Sequence, residues 1–175
     1  MCIPCALLGP RNASISLQGE TLPVVTEYKY LGTVISDDKS DKLDIERQIR
    51  ATYAQGNSIV RKFNMCSYMV KLRLFKSFCG TFYNCHLWYR YNRATLVKLR
   101  TAYRAICRQL FGLGRRDSMS TFMVQNNLPT FNFIIRRQIY SFMSSLNSCT
   151  NAILQSFGCD TDNELLKFYH DTLYV

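Results

Sequence analysis

Asp37 and Asp38 carry the clearest catalytic potential in this chain, because adjacent carboxylates at a hairpin tip can hold two divalent metals for phosphoryl transfer. Three features count against that chemistry. Enzymes that use such a pair to copy a template place an aromatic residue two positions before it, and Ile35 stands there. A second apolar strand should follow, but Lys39-Ser40-Asp41-Lys42 leads into a helix. A third carboxylate must come from an earlier strand, and Glu20 and Glu27 are the only acids upstream. The pair reads instead as a turn into a helix, whose positive end it complements.

Other reactive groups are equally poor in partners. Cys2 and Cys5 have CxxC spacing, yet no second pair lies at zinc-ribbon distance. Cys79, Cys85 and His86 can approach one another on a helix, but in so apolar a run packing is the better explanation. Cys149, Cys159 and His170 do not fit a zinc-knuckle spacing. There is no nucleophile elbow, phosphate loop or Gly-rich dinucleotide motif, and two His leave few general bases. The chain reads as non-catalytic, with no metal or other cofactor of its own. Cys66, Cys79, Cys85 and Cys107 sit in aromatic-rich helical runs, and the first residues lack a basic secretory n-region. A reduced, intracellular protein is expected, nuclear or cytoplasmic.

Binding chemistry is far better supplied. From Arg47 to Arg116, seventy residues hold fifteen Lys and Arg and no Asp or Glu. Such a run cannot neutralise itself, and its field favours a polyanion. Five of the twelve acids cluster between Asp37 and Glu46, outside the run. An apolar fraction of 47% argues against disorder, so these charges decorate a folded core. Membrane partners are not expected. Ser77 to Tyr89 is uncharged but only thirteen residues long, and Gln138 to Cys159 is too polar to span.

The elements that must position these cations are strands first and helices after, a mainly α chain with a short N-terminal antiparallel hairpin region. Short apolar runs (Cys5 to Leu8, Ile15 to Leu17, Leu22 to Val25, Tyr28 to Ile35) alternate with Gly and Pro. From Asp41 the period becomes helical, with Asp41 or Ser40 as cap. Ile45, Ile49, Tyr53, Ile59, Val60 and Phe63 form one apolar stripe, bearing Arg47, Arg50, Arg61 and Lys62 around it. A second helix is expected from about Tyr68 to Trp88, the central core helix, with Leu72, Phe75, Cys79, Phe82 and His86 on one face. It carries Lys71 and Arg73. A third, from about Thr95 to Phe111, buries Leu96, Leu99, Ala102 or Tyr103, Ile106 and Leu110, and Gly112 ends it. Its other face carries Lys98, Arg100, Arg104 and Arg108, with Arg115 and Arg116 following. Helices from Met119 to Gln125, Phe131 to Leu146 and Asp162 to Leu173 complete the chain.

Tyr28-Lys29-Tyr30-Leu31-Gly32-Thr33-Val34-Ile35 resembles the Tyr-Leu-Gly element that closes the palm of reverse transcriptases from non-LTR (LINE-type, jockey-like) retrotransposons. The resemblance continues through Asp44-Ile45-Glu46-Arg47, Arg61-Lys62-Phe63, Val70-Lys71-Leu72-Arg73-Leu74-Phe75, Leu87-Trp88 and Leu110-Phe111-Gly112-Leu113 to Ile139-Tyr140-Ser141-Phe142-Met143. It implies that residues 1–36 are the end of the palm, 37–146 a thumb-like basic helical bundle, and 147–175 a C-terminal helical extension. Tyr30, Leu31 and Gly32 would belong to the hairpin that supports the primer end, and the basic helices would lie along the template–primer duplex. The family uses Mg, but its fingers, palm core and metal-binding aspartates would all lie upstream of Met1, so a member beginning here would not polymerise.

A thumb needs an apolar core and a basic surface that meets phosphates without reading sequence. RNA or RNA–DNA duplex is the expected partner, together with the missing fingers and palm part of such an enzyme. Four to six phosphate contacts would give a log–log salt slope of roughly −4 to −5. Tyr89, Tyr91 and Tyr103, beside arginines, are the candidates for base stacking, whereas Phe75, Phe78, Phe82 and Tyr83 read as core. The competing expectation is a stand-alone helical protein-interaction or structural module.

Overall fold

In the first described elements the chain turns back on itself twice, each time through two residues with positive φ. The computed structural model describes residues 16–158 and 163–174. Strands β1 (Ser16–Leu17) and β2 (Glu20–Thr21) pair antiparallel, as do β3 (Glu27–Tyr30) and β4 (Thr33–Ser36). Gln18-Gly19 and Leu31-Gly32 form the turns, with φ of 54° and 87°, and 46° and 86°. Two left-handed central residues match the twist of the flanking strands, which is why such turns close two-residue hairpins. In the second hairpin Tyr28 faces Ile35 and Tyr30 faces Thr33 across the ladder. Leu22 to Val25 forms no strand, since Pro23 has no N–H to donate to a ladder. The expected run Cys5 to Leu8, and Cys2 with it, lies outside the described residues.

Seven helices dominate the described residues, so the chain is mainly α, with the hairpins at its start. They are α1 (Lys42–Lys62), α2 (Tyr68–Leu74), α3 (Arg93–Phe111), α4 (Met119–Gln125), α5 (Phe131–Asn147), α6 (Ala152–Gly158) and α7 (Glu164–Tyr174). The buried stripe of α1 is Ile45, Gln48, Thr52, Gly56 and Ile59, with Asp44 at its start. Tyr53 and Phe63, expected on that stripe, are exposed. The face is rotated toward small and polar residues because α3 comes too close for large ones. A Cβ on Gly56 would lie 2.3 Å from Ile106 Cγ2.

The long second helix expected to Trp88 ends early. After α2 the backbone widens into a π turn over Phe75–Cys79 and stops at Gly80. A Cβ there would sit 2.5 Å from the Lys76 carbonyl oxygen, so only glycine fits where the wide turn closes. Asn84 then adopts left-handed φ of 58° and leads a short 3₁₀ turn, Cys85–Leu87. The irregular stretch is nonetheless central, since Phe75, Cys79, Phe82, Cys85 and Trp88 are all buried. Phe75 and Phe82 meet Tyr103 of α3 at 5.3 and 5.9 Å, and Phe82 meets Phe131 of α5 at 5.4 Å.

Helix α3 starts two residues before the expected Thr95 because the Asn92 side chain caps it, accepting from Ala94 N at 2.8 Å. Gly112, at φ 64°, ends it as expected. Ser118 and Thr130 cap α4 and α5 in the same way. Helix α7 returns to the middle of the fold. Tyr169 is fully buried, donates to the His86 carbonyl at 2.5 Å and packs against Phe142.

Helices α1 and α3 run parallel, side by side. Asp41 N donates to the Arg90 carbonyl at 2.9 Å, which joins their N-terminal ends, and Gly56 meets Ile106 about two-thirds of the way along both. Asp41 leads α1 but does not cap it. Its Oδ2 instead accepts from the backbone N–H of Tyr89 (2.9 Å) and Arg90 (2.7 Å).

Candidate nucleic-acid interface

One buried carboxylate joins the hairpin to the helices. Asp44 is 1% exposed, and its Oδ1 accepts from Val34 N (3.0 Å) and Arg47 Nε (2.8 Å). Its Oδ2 accepts from Trp88 Nε1 at 2.8 Å. Strand β4, helix α1 and the segment before α3 therefore meet at a single side chain. Charge-assisted bonds of this kind are strong and directional, so the hairpin is held in a fixed relation to the bundle. Asp41 beside it is pushed above the usual carboxylate range by burial, against the pull of its two backbone N–H donors.

At the hairpin tip Leu31 is 73% exposed and held at φ 46°, a conformation bulky side chains avoid. The tip is fixed from below. Tyr83 donates to the Leu31 carbonyl at 2.8 Å, and its ring lies where a Cβ on Gly32 would come within 3.1 Å. Asn84 Nδ2 donates to Thr33 Oγ1 at 2.5 Å. Tyr28, Tyr30 and Ile35 stay exposed on the outer side of the hairpin.

The cations divide into those already used and those free to meet a partner. Arg47 pairs with Asp44, and Arg108 donates to the carbonyls of Gly114 and Asp117, closing the loop after α3. Arg50, Arg61, Lys62, Arg73, Lys98, Arg104, Arg115 and Arg116 are exposed, while Lys71 and Arg100 are partly covered. The free ones do not share one face. Arg50 and Arg61 lie about 120–140° round α1 from Gly56, and Arg93, Arg100 and Arg104 about 120–160° round α3 from Ile106, in the same sense. Between parallel helices, equal offsets from the contact fall on opposite sides of the pair. Lys98, two residues before Arg100, turns to the side of Arg50 and Arg61, because residues two apart never share a helix face. The result is two basic tracks, Arg50/Arg61/Lys98 and Lys62/Arg93/Arg100/Arg104, in place of one continuous face.

Of the aromatics expected to stack on bases, Tyr103 is fully buried, with its hydroxyl on the Pro129 carbonyl at 2.7 Å. Its alternation with arginines misled, because α3 turns it inward between Phe75 and Phe82. Tyr91 packs edge-on against Phe168, and Tyr89 lies under the Arg90 guanidinium. Phe75 and Phe82 are core as expected, but Phe78 and Tyr83 are exposed, since both lie where the expected helix breaks.

No family model, curated protein or solved structure matches this chain.

Its own groups limit the chemistry. Burial pushes the Cys79 thiol up to about 11 and those of Cys85 and Cys107 to about 12, so all three stay protonated and pack as apolar groups. The residues present do not fit the Mg that the resemblance implies. Asp38 Oδ1 accepts from Ser36 Oγ (2.6 Å) and Ser40 N (2.8 Å), a turn-forming role that holds its carboxyl below the usual range. Among the described residues no three His, Cys, Asp or Glu side chains gather as a metal site. Nor is any helix among them long and apolar enough to cross a membrane.

A polar cleft of about 500 Å³ escaped the sequence reading. It opens between α1, the segment after Gly80 and α5, and Gln48, Gln55, Gln138 and His86 line it. Its only signal in the sequence is a glutamine at a buried helical position, Gln48, three residues after Ile45.

Proposed function

We propose that this chain is a non-catalytic module that holds RNA or RNA–DNA duplex by its phosphates, corresponding to the palm end and thumb of a non-LTR retrotransposon reverse transcriptase. The observation that carries the reading is the set of exposed cations on α1 and α3 within a run of seventy residues that has no acid to neutralise them. The hairpin bearing Tyr30, Leu31 and Gly32 is tied through Asp44 to α1 and to the segment that leads into α3, as a primer-supporting element joined to a thumb would be.

Tracks of three and four cations change the expected salt dependence. A duplex laid along one track meets about three or four phosphates, for a log–log slope of about −3 to −4. Reversing Arg50 and Arg61 to Glu, or separately Arg100 and Arg104, tests which track is used. The track in use loses about two units of slope, and the other loses none. Unchanged slopes in both variants, or primer extension by the purified chain with Mg, would overturn the reading.

A second reading has its own observation. Tyr28, Tyr30 and Ile35 form an exposed apolar side of a two-stranded sheet. A protein partner there, such as the fingers and palm part of a polymerase, would cover it. Sedimentation of the same samples distinguishes the readings, since self-association without nucleic acid binding favours this one.

A further inference from the structure

The cleft between α1 and α5 gathers buried polar atoms that have no partner among the described residues. Arg47 Nη2 and His86 Nδ1 are buried polar atoms with no partner, and both residues line it. Gln48, 3% exposed, lines it too, and Gln55 and Gln138 face it from α1 and α5. None of the three carboxamides is engaged by a protein group among the described residues. Leaving Arg47 Nη2 and His86 Nδ1 buried and unpaired is costly, and a polar occupant relieves that cost, with the half-buried Gln138 and exposed Gln55 at hand to meet it.

The lining chooses among occupants. No acid lines the cleft, and its one cation, Arg47, is already paired through Nε with Asp44. A site for a free phosphate would carry more unspent positive charge. Carboxamides present a donor and an acceptor side by side, which matches the edge of a nucleobase. Tyr83 stands at the rim, 52% exposed, its hydroxyl fixed on Leu31 so that its ring is held in place. A fixed aromatic beside donor–acceptor pairs is how single-stranded bases are received. The volume, about 500 Å³, falls within the range of small-molecule sites.

We propose that this cleft receives one unpaired nucleobase, its edge on the glutamine carboxamides and Arg47 Nη2 and its face on Tyr83. The proposal rests on the nucleic-acid reading above and adds base contact to phosphate contact. The test compares short single-stranded RNA homopolymers of A, C, G and U, an RNA–DNA duplex, and the four nucleoside 5′-monophosphates. Each is measured on the full chain and on a Gln55→Ala/Gln138→Ala double variant, with Trp88 fluorescence reporting that the variant is folded.

The expected result is a preference of about fivefold or more for one homopolymer, lost in the variant while duplex affinity is unchanged. Equal binding of all four homopolymers by the full chain overturns the cleft proposal and leaves the duplex reading standing. If no duplex binds, the duplex reading falls, and the monophosphates decide the cleft. Saturable shifts of the glutamine side-chain NMR signals with one base uphold it. Their absence, or equal shifts with inorganic phosphate, overturns it.

Discussion

Asp44 is the residue on which the hairpin and the helices depend together. Replacing it with alanine leaves Val34 N–H, Trp88 Nε1–H and the Arg47 guanidinium without their acceptor. Removing one partner of a buried ion pair costs about 3–5 kcal/mol, and the stranded donors act in the same direction. Trp88 is the only tryptophan, so its emission reads the site directly. Asp44→Ala should lower the urea midpoint and shift Trp88 emission to the red, with Asp44→Asn between it and the parent. Unchanged emission would mean that Trp88 does not need this contact. The sequence placed Asp44 within the family-like pattern Asp44-Ile45-Glu46-Arg47. Its burial was not legible, because Val34 and Trp88 reach it from ten and forty-four residues away.

At the scale of elements, the parallel pairing of α1 and α3 turns on Gly56. A Cβ there would meet three carbons of Ile106 within 2.7 Å, and Ile106 is itself buried. Gly56→Ala should therefore destabilise by about 1–3 kcal/mol, even though alanine is the better helix former. Ile106→Ala in the same chain should recover part of that loss, and a double-mutant cycle on chemical denaturation measures the coupling. Additive effects would show that the helices do not touch there. Periodicity found α1, α3, α4 and α5 to within about two residues, and the capping side chains Asn92, Ser118 and Thr130 mark the starts of the last three. It failed between Phe75 and Trp88, where Phe75, Cys79, Phe82, Cys85 and Trp88 still point inward but a π turn and a left-handed Asn84 replace the helix. Apolar pattern reports burial there and not backbone. The hidden side of α1 was misread for a related reason: close approach selects Gly56 and Thr52 over Tyr53.

For the whole molecule, the question is whether the C-terminal segment is an appendage or part of one cooperative unit. Helix α7 supplies Glu164 to Arg90, Phe168 to Tyr91 and the buried Tyr169 to His86 and Phe142. Those contacts reach the segment that also carries Trp88 and the backbone donors to Asp41. The N-terminal ends of both basic helices are therefore braced by residues far along the chain, which the sequence suggested only as a separate extension. Deleting a buried aromatic side chain costs about 3–5 kcal/mol. Tyr169→Ala should lower the thermal midpoint seen by Trp88 emission and by helical circular dichroism equally, with the two curves still coincident. Coincidence is what a single cooperative transition requires. Were α7 a detachable helix, the dichroism would lose amplitude early while the Trp88 curve stayed where it was. The same variant should then bind duplex at low temperature as well as its parent does, since Tyr169 bears no charge and lies on neither basic track.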